Sequence, residues 1–378
     1  MRILFLSHTY PPTLGGVEKQ NYDLAEALKK IATVKVIANT KGKIWLPFFL
    51  PWTFLKAFFL MANYDCCLLG NGVLAPLGVI LKFFHPKKKF FCVIHGLDIN
   101  FSAKKTWLAK IYKNINLPSL KKMDKLFAVS NATITEAEKF GIDKELCIFI
   151  PNGVNPEEFR ETHTRQELSE LFGKNLKDKK VLLRLGRFVP HKGTSWFIRE
   201  VMPLLPEEFV LIAAGGRVGK NSAGNTDDFL NCEQAIIDCQ LKNRVRLLPS
   251  IPFQQVKILY NTVDLVVSPN IKQLGTMEGF GLNAIEAGAV GRIVLASNLE
   301  GLADAVQNGK NGILVEPEKA EVWAKKIRAI FDQDAIFRSS FEQRIAEYVK
   351  ENFSWSKIAR RYLEEMQKTK IRKLTKKR

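Results

Sequence analysis

Two glutamates, Glu278 and Glu286, bracket a short glycine-containing stretch in the C-terminal half of the chain. The apolar run that ends at Ser268 predicts a buried strand before them, and residues 282–289 predict a helix after Gly281. A strand, a glycine loop and a helix in this order bring unpaired N–H groups and the positive end of a helix dipole to one place, which suits a phosphate. A carboxylate beside a phosphate can accept hydrogen bonds from ribose or sugar hydroxyls. An ordinary β-α unit with two surface glutamates fits the same spacing.

Two cations and a glycine pair could bind the same kind of anion. Arg187 and Lys192 lie five residues apart in a glycine-bounded loop that follows a predicted strand at 181–185. Together they can neutralise a diphosphate, the Arg bidentately and the Lys as a point charge. Gly15 and Gly16 stand at the first strand-to-helix turn, where the backbone can approach a bulky anion closely. Taken singly, a solvated cation or a simple glycine turn explains each of them.

His95 and Asp98 follow a predicted buried strand at 90–94. In an α/β sheet, the residues just after a strand lie at the carboxyl edge, where ligands bind. A lone histidine at this position is more often structural, so the position by itself assigns no role.

Taken together, these segments resemble glycosyltransferase family 4, a large family of retaining enzymes. The most specific correspondence is EGFG-x4-E, from Glu278 to Glu286, which is similar to the E-x7-E signature of that family. Three further segments match in the same order: Gly15-Gly16, HGLD at 95–98 and GR-x3-HKG at 186–193. The resemblance covers almost the whole chain, although Asn155 replaces the usual Asp of a PNGVD segment. It implies an α/β protein of the GT-B fold, with two doubly wound Rossmann-like domains facing a central cleft, and the α/β alternation supports such domains independently.

The resemblance also implies roles for the residues that match. Glu286 would hold the ribose of a nucleotide sugar, Glu278 would contact the donor sugar, and the N–H groups between them would contact the diphosphate. The donor-binding residues are thus predicted to be Gly15, Gly16, Arg187, Lys192, Glu278, Gly279, Phe280, Gly281, Leu282 and Glu286. We expect His95 to contact the transferred sugar and Asp98 to orient it or to meet the acceptor. His95, Asp98 and Glu278 therefore form the predicted catalytic set.

No metal and no cofactor are predicted, apart from a UDP- or GDP-linked sugar as co-substrate. The only D-x-D of the chain, at 332–334, lies in a predicted late helix, far along the chain from the phosphate motifs. Metal-dependent GT-A enzymes hold their cation on such a pair, so its placement argues against that fold. A metal-independent hexosyltransferase is expected.

Composition bounds the class of protein. With 378 residues and 46% hydrophobic content, the chain can form two domains with full cores and is neither disordered nor fibrous. We expect an N-terminal, acceptor- and membrane-facing Rossmann-like domain at 1–160 and a nucleotide-sugar-binding Rossmann-like domain at 161–350. A helix that crosses back, with a basic tail, is expected at 351–378. Six cysteines without a CxxC favour a reducing cytosol over disulfides or zinc.

The net charge of +19 is concentrated at the two ends of the chain. Residues 1–130 hold 19 Lys and Arg against 6 Asp and Glu, and residues 368–378 hold 7 against none. This distribution indicates an anionic partner. Because no nucleic-acid-binding signature accompanies it, we expect an anionic membrane surface and no nucleic acid. A basic surface that is merely solvated, with no partner, is the alternative.

Residues 44–62 are nearly all apolar and almost long enough to span a membrane. Pro47 and Pro51 interrupt the first half, and a predicted strand follows directly, so a spanning helix would pull two strands of one sheet apart. The sequence instead predicts a helix of about three turns that begins at Pro51, whose apolar face, with Trp45 and Trp52, enters the membrane interface. A fully buried core helix is the alternative.

The sequence therefore predicts a retaining glycosyltransferase of cell-envelope glycan biosynthesis, peripheral on the cytoplasmic face of the membrane. It would transfer a sugar from a nucleoside diphosphate sugar to a hydroxyl of a lipid-linked or cell-surface glycan acceptor. Two alternatives stay open: a non-catalytic GT-B protein that serves as a membrane-associated partner or scaffold, and an NAD-dependent Rossmann enzyme. The second lacks a G-x-G-x-x-G after the first strand and has Asn39 where an acidic residue would end the second strand.

Overall fold

The structure, a computed structural model, describes residues 1–13, 15–103, 106–217 and 227–371. The end of the predicted basic tail, 372–378, lies outside the described residues. The chain divides into two compact units. Unit 1 contains Met1–Gly153, Gly275–Phe280 and the C-terminal segment from Trp355, and unit 2 contains Val154–Leu274 and Gly281–Ser354. The domain boundaries expected from the sequence lie at 160 and 350. Nothing in the sequence assigns Gly275–Phe280 to the first unit.

Unit 1 is built on a parallel sheet, whose six described strands run in the order β2-β1-β3-β4-β5-β6. These strands are almost continuously apolar, because the sheet is covered on both faces. The elements are β1 (Arg2–Ser7), α1 (Gly16–Lys29), β2 (Thr33–Ala38), α2 (Leu46–Leu60), β3 (Cys66–Leu69), α3 (Ala75–Phe84), β4 (Lys89–Ile94), α4 (Leu97–Asn100), α5 (Trp107–Leu120), β5 (Lys125–Ala128), α6 (Asn131–Lys139), β6 (Cys147–Phe149) and α16 (Trp355–Lys368).

Helices lie on both faces of this sheet. The connections from β2 to β3, from β3 to β4 and from β4 to β5 all cross the sheet in the same direction. Their helices α2, α3 and α5 pack side by side on one face. The connection from β1 to β2 runs the other way, which places α1 on the opposite face, where it packs against α16. On that face, Tyr362 of α16 meets Phe127 of β5 with ring centroids 4.9 Å apart.

The helix predicted to begin at Pro51 begins earlier. α2 starts at Leu46 and carries Pro51 in its interior. Pro47 lies in the first turn, where the backbone N–H has no intrahelical partner in any case. Pro51 removes one hydrogen bond near the start of the helix, and the apolar contacts of the helix with the sheet outweigh that loss.

α2 buries one narrow face. Its buried side chains are Phe49, Thr53 and Ala57, which recur every four residues as one stripe of a helix does. By length and composition, Leu46–Asn63 is the one segment of the described chain that could cross a membrane, and 22% of it is buried. A fully buried core helix, the alternative considered from the sequence, is therefore wrong. α2 connects β2 to β3, which flank β1 in one sheet, so it runs back along that sheet.

Unit 2 contains a second parallel sheet, with described strands in the order β12-β11-β10-β7-β8-β9. One face is covered by an apolar cluster that includes the buried Trp323 and Phe197. The elements are α7 (Pro156–Phe159), α8 (Arg165–Phe172), β7 (Lys180–Leu185), α9 (Thr194–Trp196), β8 (Phe209–Gly215), α10 (Phe229–Asp238), β9 (Val245–Pro249), α11 (Phe253–Thr262), β10 (Leu265–Ser268), α12 (Leu282–Ala289), β11 (Val294–Ser297), α13 (Leu302–Ala305), β12 (Ile313–Val315), α14 (Ala320–Phe331) and α15 (Ala335–Phe353).

Candidate active site

The sheet of unit 2 has a topological switch point between β7 and β10. The chain leaves β7 toward β8 on one side and leaves β10 toward β11 on the other. Two connections that diverge in this way open a crevice at the carboxyl ends of the strands, which is where α/β proteins bind ligands. Arg187 and Lys192 follow β7, and the stretch that leads to α12 follows β10. The topology of unit 2 therefore places the cation loop and the N-terminus of α12 on the two sides of one crevice.

Backbone contacts join the two loops that line this crevice. The amide of Ile271 donates to the carbonyl oxygen of His191 across 3.0 Å. Gly193 has a φ of +66°, and a Cβ there would lie 1.9 Å from the carbonyl oxygen of Pro269. A side chain is excluded at this position, so Gly193 is what allows the cation loop to lie against the loop that follows β10.

α12 presents its N-terminus to the same edge. Gly281 precedes it with a φ of +97° and no side-chain cap, and a Cβ at this glycine would meet Leu302 at 2.6 Å. Asn283 fixes the first turn, since its Nδ2 donates to the Leu185 carbonyl oxygen at 3.2 Å and to Ser268 Oγ at 2.9 Å. The helix N-terminus, with its partial positive charge, is thereby held at the ends of β7 and β10.

Glu286 lies about one turn into α12 and is half-buried. Its Oε2 accepts a hydrogen bond of 3.0 Å from the hydroxyl of Tyr260, which also lies 3.3 Å from the Asn283 carbonyl oxygen. Burial, with the nearby Glu286 charge, raises the pKa of Tyr260 well above its ordinary value, so the phenol stays protonated and donates. Sequence reasoning missed both residues, because Tyr260 belongs to no motif and Asn283 stands at one of the unspecified positions of EGFG-x4-E.

The two predicted cations differ in exposure. Arg187 is exposed, and Lys192 is half-buried in the short turn that ends at Gly193. The loop of Arg187 leaves the sheet where β7 and β8 come very close, since a Cβ at Gly215 would lie 2.1 Å from the Gly186 carbonyl oxygen. An exposed guanidinium and a half-buried ammonium on this loop can both reach an anion at the carboxyl edge.

Unit 1 has a corresponding switch point between β1 and β3. His95, directly after β4, is 8% exposed, and its Nε2 lies 3.0 Å from the Gly70 carbonyl oxygen at the end of β3. A carbonyl only accepts, so Nε2 carries a proton and donates to it. The amide of His95 donates to Asp98 Oδ2 at 3.0 Å. The segment from His95 to Asp98 is thus a turn that the Asp98 carboxylate fixes by binding the His95 amide.

The segment Gly275–Phe280 brings Glu278 to this turn. A Cβ at Gly96, where φ is +58°, would lie 2.7 Å from Met277 Sδ, and one at Gly279 would lie 3.6 Å from the His95 carbonyl oxygen. Phe280 is 2% exposed and Glu278 is half-buried. Within unit 1, the structure therefore places two members of the predicted catalytic set, His95 and Glu278, on neighbouring turns, although they are far apart in sequence.

Gly15 and Gly16 begin α1 at the carboxyl end of β1. Glu18, in the first turn, fills the space beside Gly15, because its carboxylate lies 2.1 Å from where a Cβ would stand. It also accepts a hydrogen bond of 2.6 Å from Thr9 Oγ1. An acidic side chain in the first turn complements the helix dipole. The space beside Gly15 is therefore occupied by a carboxylate of the protein itself.

The D-x-D pair at 332–334 lies at the junction of α14 and α15. Asp334 caps α15, accepting from the Phe337 amide at 2.6 Å, and Asp332 ends α14. Neither residue lies at the carboxyl edge of a strand. The described residues contain no group of three or more His, Cys, Asp and Glu side chains placed to hold a metal ion.

Family models match both halves of the chain. The model described as Glycosyltransferase Family 4 matches residues 14–158, and the one described as Glycosyl transferases group 1 matches residues 167–352. The chain belongs to glycosyltransferase family 4. The predicted family and the predicted enzyme class, a glycosyltransferase, are thus confirmed.

Relatives of this glycosyltransferase include named bacterial enzymes. It is 27% identical over 288 residues to the O-antigen chain mannosyltransferase RfbU of Salmonella typhimurium, covering 72% of each chain. It is 25% identical over 300 residues to the N,N'-diacetylbacillosaminyl-diphospho-undecaprenol alpha-1,3-N-acetylgalactosaminyltransferase of Campylobacter jejuni, covering 76% of this chain and 74% of that one.

Solved structures confirm the predicted GT-B fold. The Anabaena protein Alr3699/HepE in complex with UDP-glucose superposes with a TM-score of 0.77 at 20% identity, covering 97% of this chain and 99% of that one. Sucrose-phosphate synthase from Thermosynechococcus elongatus has a TM-score of 0.76 at 20% identity, with 97% and 98% covered. At this identity the likeness establishes the fold.

The contact between Tyr260 and Glu286 yields a test of the donor side. Tyr260→Phe removes one hydrogen bond to a carboxylate, and since Glu286 is only half-buried we expect the KM for the nucleotide sugar to rise about tenfold. The value of kcat should change less, because the substitution loosens a binding group. Tyr348→Phe, on the half-buried Tyr348 of α15 in the same unit, is the matched control. An unchanged donor KM in Tyr260→Phe would show that the phenol does not position Glu286.

Proposed function

We propose that the chain is a retaining, metal-independent glycosyltransferase acting at the cytoplasmic surface of a membrane. It transfers a sugar from a nucleoside diphosphate sugar to a hydroxyl of a lipid-linked or cell-surface glycan acceptor. One observation carries this proposal. At the switch point of unit 2, the cation loop after β7 contacts the loop that follows β10, and the N-terminus of α12 is held at the ends of the same two strands. This arrangement suits a diphosphate.

Unit 2 would bind the nucleoside diphosphate. The first amides of α12 and the charges of Arg187 and Lys192 stabilise the negative charge that grows on the diphosphate as the glycosidic bond breaks. Glu286, held by Tyr260 across 3.0 Å, accepts hydrogen bonds from the ribose hydroxyls. The first turn of α12 and Glu286 are held in place before the reaction, so these groups need little reorganisation when the charge develops.

Retention follows if the acceptor attacks the face from which the diphosphate leaves. The bond between C1 of the sugar and the diphosphate oxygen breaks, the acceptor oxygen bonds to C1 on the same face, and the acceptor proton passes to the departing phosphate. In unit 1, His95 and Glu278 lie on neighbouring turns and would orient the transferred sugar. Asp98, hydrogen-bonded to the amide of His95, orients that turn.

The named relatives support the choice of substrates. The Campylobacter jejuni enzyme is named for a diphospho-undecaprenol acceptor, and the Anabaena protein is known in complex with UDP-glucose. A UDP- or GDP-linked hexose and a lipid-linked glycan are accordingly the donor and acceptor that we propose.

Transfer itself is the direct test. We expect a sugar to move from one UDP- or GDP-hexose to an n-octyl glycoside. The anomeric configuration of the donor should be retained in the product, as read from one-bond C–H couplings by NMR.

Arg187→Ala and Lys192→Ala should each lower kcat about 100-fold, because each removes stabilisation of the leaving group. Arg199→Ala, which removes an exposed cation paired with Asp238, is the control. An inverted product would contradict retention, and no transfer from any donor would favour the scaffold alternative.

The membrane part of the proposal rests on an apolar surface of unit 1. Phe48 of α2 and Trp107 of α5 are 72% and 70% exposed. They belong to an outer apolar face formed by Phe48, Trp52, Leu55 and Phe59 of α2, Ile80, Phe83 and Phe84 of α3, and Trp107, Ile111 and Ile115 of α5. Phe58 and Phe84, with ring centroids 5.4 Å apart, connect α2 to α3. Soluble surfaces rarely expose a contiguous patch of this kind, which marks an interaction site.

Charge indicates what covers the outer apolar face. The segments of α2, α3 and α5 contain no Asp or Glu and four lysines, of which Lys82 is buried and paired with Asp124 and the other three are Lys56, Lys110 and Lys113. Lys56 lies 4.6 Å from the Trp52 ring centroid, and Lys41 lies 4.4 Å from that of Trp45 just before α2. Tryptophan and lysine side by side around an apolar surface suit the headgroup region of an anionic bilayer. We therefore propose that the outer apolar face enters the interface of an anionic membrane.

Flotation with liposomes tests this surface. Phe48→Ser, Trp52→Ser, Phe83→Ser and Trp107→Ser combined should lower binding to phosphatidylglycerol-containing vesicles at least tenfold, because each change removes buried apolar area at the interface. Binding of the wild type should weaken with added salt and on purely zwitterionic vesicles. Leu230→Ser combined with Ile336→Ser, two exposed apolar residues of unit 2, is the control. Unchanged flotation of the quadruple variant would contradict the proposal.

A further inference from the structure

Unit 2 has an apolar groove at the amino edge of its sheet, the edge opposite to the crevice between β7 and β10. The groove is lined by Ile293, directly before β11, and by Ile313, at the start of β12. Ile330 of α14 and the rings of Phe337 and Phe341 of α15 complete its apolar lining. The groove encloses about 380 Å³, which is within the range of sites that bind small molecules.

This groove is open to solvent. Phe337 is 48% exposed, whereas Ile293 and Ile330 beneath it are buried. The Phe337 and Phe341 rings lie side by side, with centroids 6.4 Å apart. An apolar chain that enters the groove would cover these rings and lose its own contact with water, which is favourable in proportion to the area removed.

The charged side chains that line this groove in the described chain are all cations. They are Lys326 of α14 and Arg338 and Arg344 of α15, and none of the three belongs to an ion pair among the described residues. Glu342, one turn after Arg338 in α15, is paired instead with Arg292 at 3.4 Å. The rim of the groove therefore attracts an anion.

Arg338 also lines a second, polar pocket at the same edge of the sheet. This pocket, of about 470 Å³, lies where β7 and β10 begin, beside Lys180 and Asp264. Five cations line it against two carboxylates, Asp178 and Asp264, and Asp264 already pairs with Arg165 at 2.9 Å. An excess of positive charge thus remains in the pocket.

Two cations of the polar pocket lie against one aromatic ring, that of Phe331 at the end of α14. Lys180 Nζ lies 5.5 Å from the ring centroid, and Arg338 Cζ lies 5.6 Å from it. Lys180 also lies 3.4 Å from Glu208, and both side chains of that pair are partly exposed, so the pair holds Lys180 only weakly. A phosphate in the pocket could bind Arg338 bidentately and Lys180 as a point charge.

The positions of the groove and the polar pocket select the ligand. Because the strands run in the order β12-β11-β10-β7, the two openings are neighbours along one edge, and Arg338 lines both. An apolar chain for the groove and a negative head for the pocket are the two parts of an anionic amphiphile. A helical peptide would need a row of anchors over two turns or more, which a groove of this size does not offer.

We propose that the amino edge of the unit 2 sheet binds one molecule of an anionic phospholipid. An acyl chain lies along Ile293, Phe337 and Phe341, and the phosphate lies at Arg338 and Lys180. This site is distinct from the outer apolar face, which belongs to unit 1, and from the crevice at the carboxyl edge. It does not rest on the proposed transferase function, since it takes no part in the transfer.

Binding of a monomeric lipid to the full chain tests the site. Dihexanoyl phosphatidylglycerol, kept below its micelle concentration, should bind saturably in isothermal calorimetry. Dihexanoyl phosphatidylcholine should bind at least about fivefold more weakly, because its zwitterionic head gains less from the cations. A phosphatidylglycerol with a diazirine in its acyl chain should label peptides of α14 and α15 after irradiation, as read by mass spectrometry.

Substitutions separate the groove from its surroundings. Phe337→Ser should raise the Kd for dihexanoyl phosphatidylglycerol about five- to tenfold, because it removes apolar area that the acyl chain covers. Ile336→Ser is the matched control, since Ile336 is the next residue of α15 and is 83% exposed but does not line the groove. Its Kd should stay within twofold of wild type.

Arg338 tests the head of the ligand. Arg338→Gln should raise the Kd about tenfold, as for one hydrogen bond to a charged group, and Arg338→Lys, which keeps the charge, should recover part of the affinity. A structural role alone would lower Tm in both variants and would not change the preference for phosphatidylglycerol over phosphatidylcholine.

Four results would overturn the inference. They are equal affinity of the wild type for the two lipids, no binding of either, an unchanged Kd in Phe337→Ser, and photolabel confined to α2, α3 and α5. A dimer in light scattering that Phe337→Ser abolishes would assign the groove to a second copy of the chain and would also overturn it. None of these measurements involves sugar transfer, so they leave the proposed function untouched.

Discussion

In a parallel sheet, the chain leaves every strand at the same edge, the carboxyl edge. The positions of the candidate site residues of this protein depend on that constraint. Where two neighbouring strands send the chain in opposite directions, no connection covers the gap between them. Unit 2 has such a gap between β7 and β10, and unit 1 has one between β1 and β3. The cation loop and the α12 N-terminus reach the first gap, while the loop of Gly15 and the turn of His95 lie around the second.

Close approach of backbones at these gaps requires glycine. Gly193 allows its loop to touch Pro269, Gly281 turns the chain into α12 against Leu302, and Gly96 leaves room for Met277. A Cβ at any of the three would overlap a neighbour, and all three have positive φ. The glycines therefore do more than permit turns: they set how near the charged and polar groups come to one another within each unit.

The sequence predicts the fold and the motif residues because both leave local signals. Apolar runs predict the strands, and the spacing of Glu278 and Glu286 identifies the loop before α12. It does not predict groups that act through tertiary contacts, such as Tyr260 on Glu286, since a single tyrosine in a helix has no pattern. The predicted start of α2 at Pro51 is wrong, because local proline preference marks a helix start there whereas the helix begins one turn earlier, at Leu46. The sequence predicts the apolar face of α2 but not its extension over α3 and α5, because that extension arises only when the three helices pack side by side.

Binding of a nucleoside diphosphate at the switch point of unit 2 can be read from the ligand-induced change in Tm. UDP, GDP, ADP and NAD would be added in turn to the wild type and to Glu286→Gln, which keeps the shape of the side chain and removes its charge. We expect UDP or GDP to raise Tm by several degrees at a concentration of about 100 times its Kd. The rise should be smaller in the variant, and NAD should have no effect. A rise with NAD alone, or equal rises in both proteins, would contradict such binding.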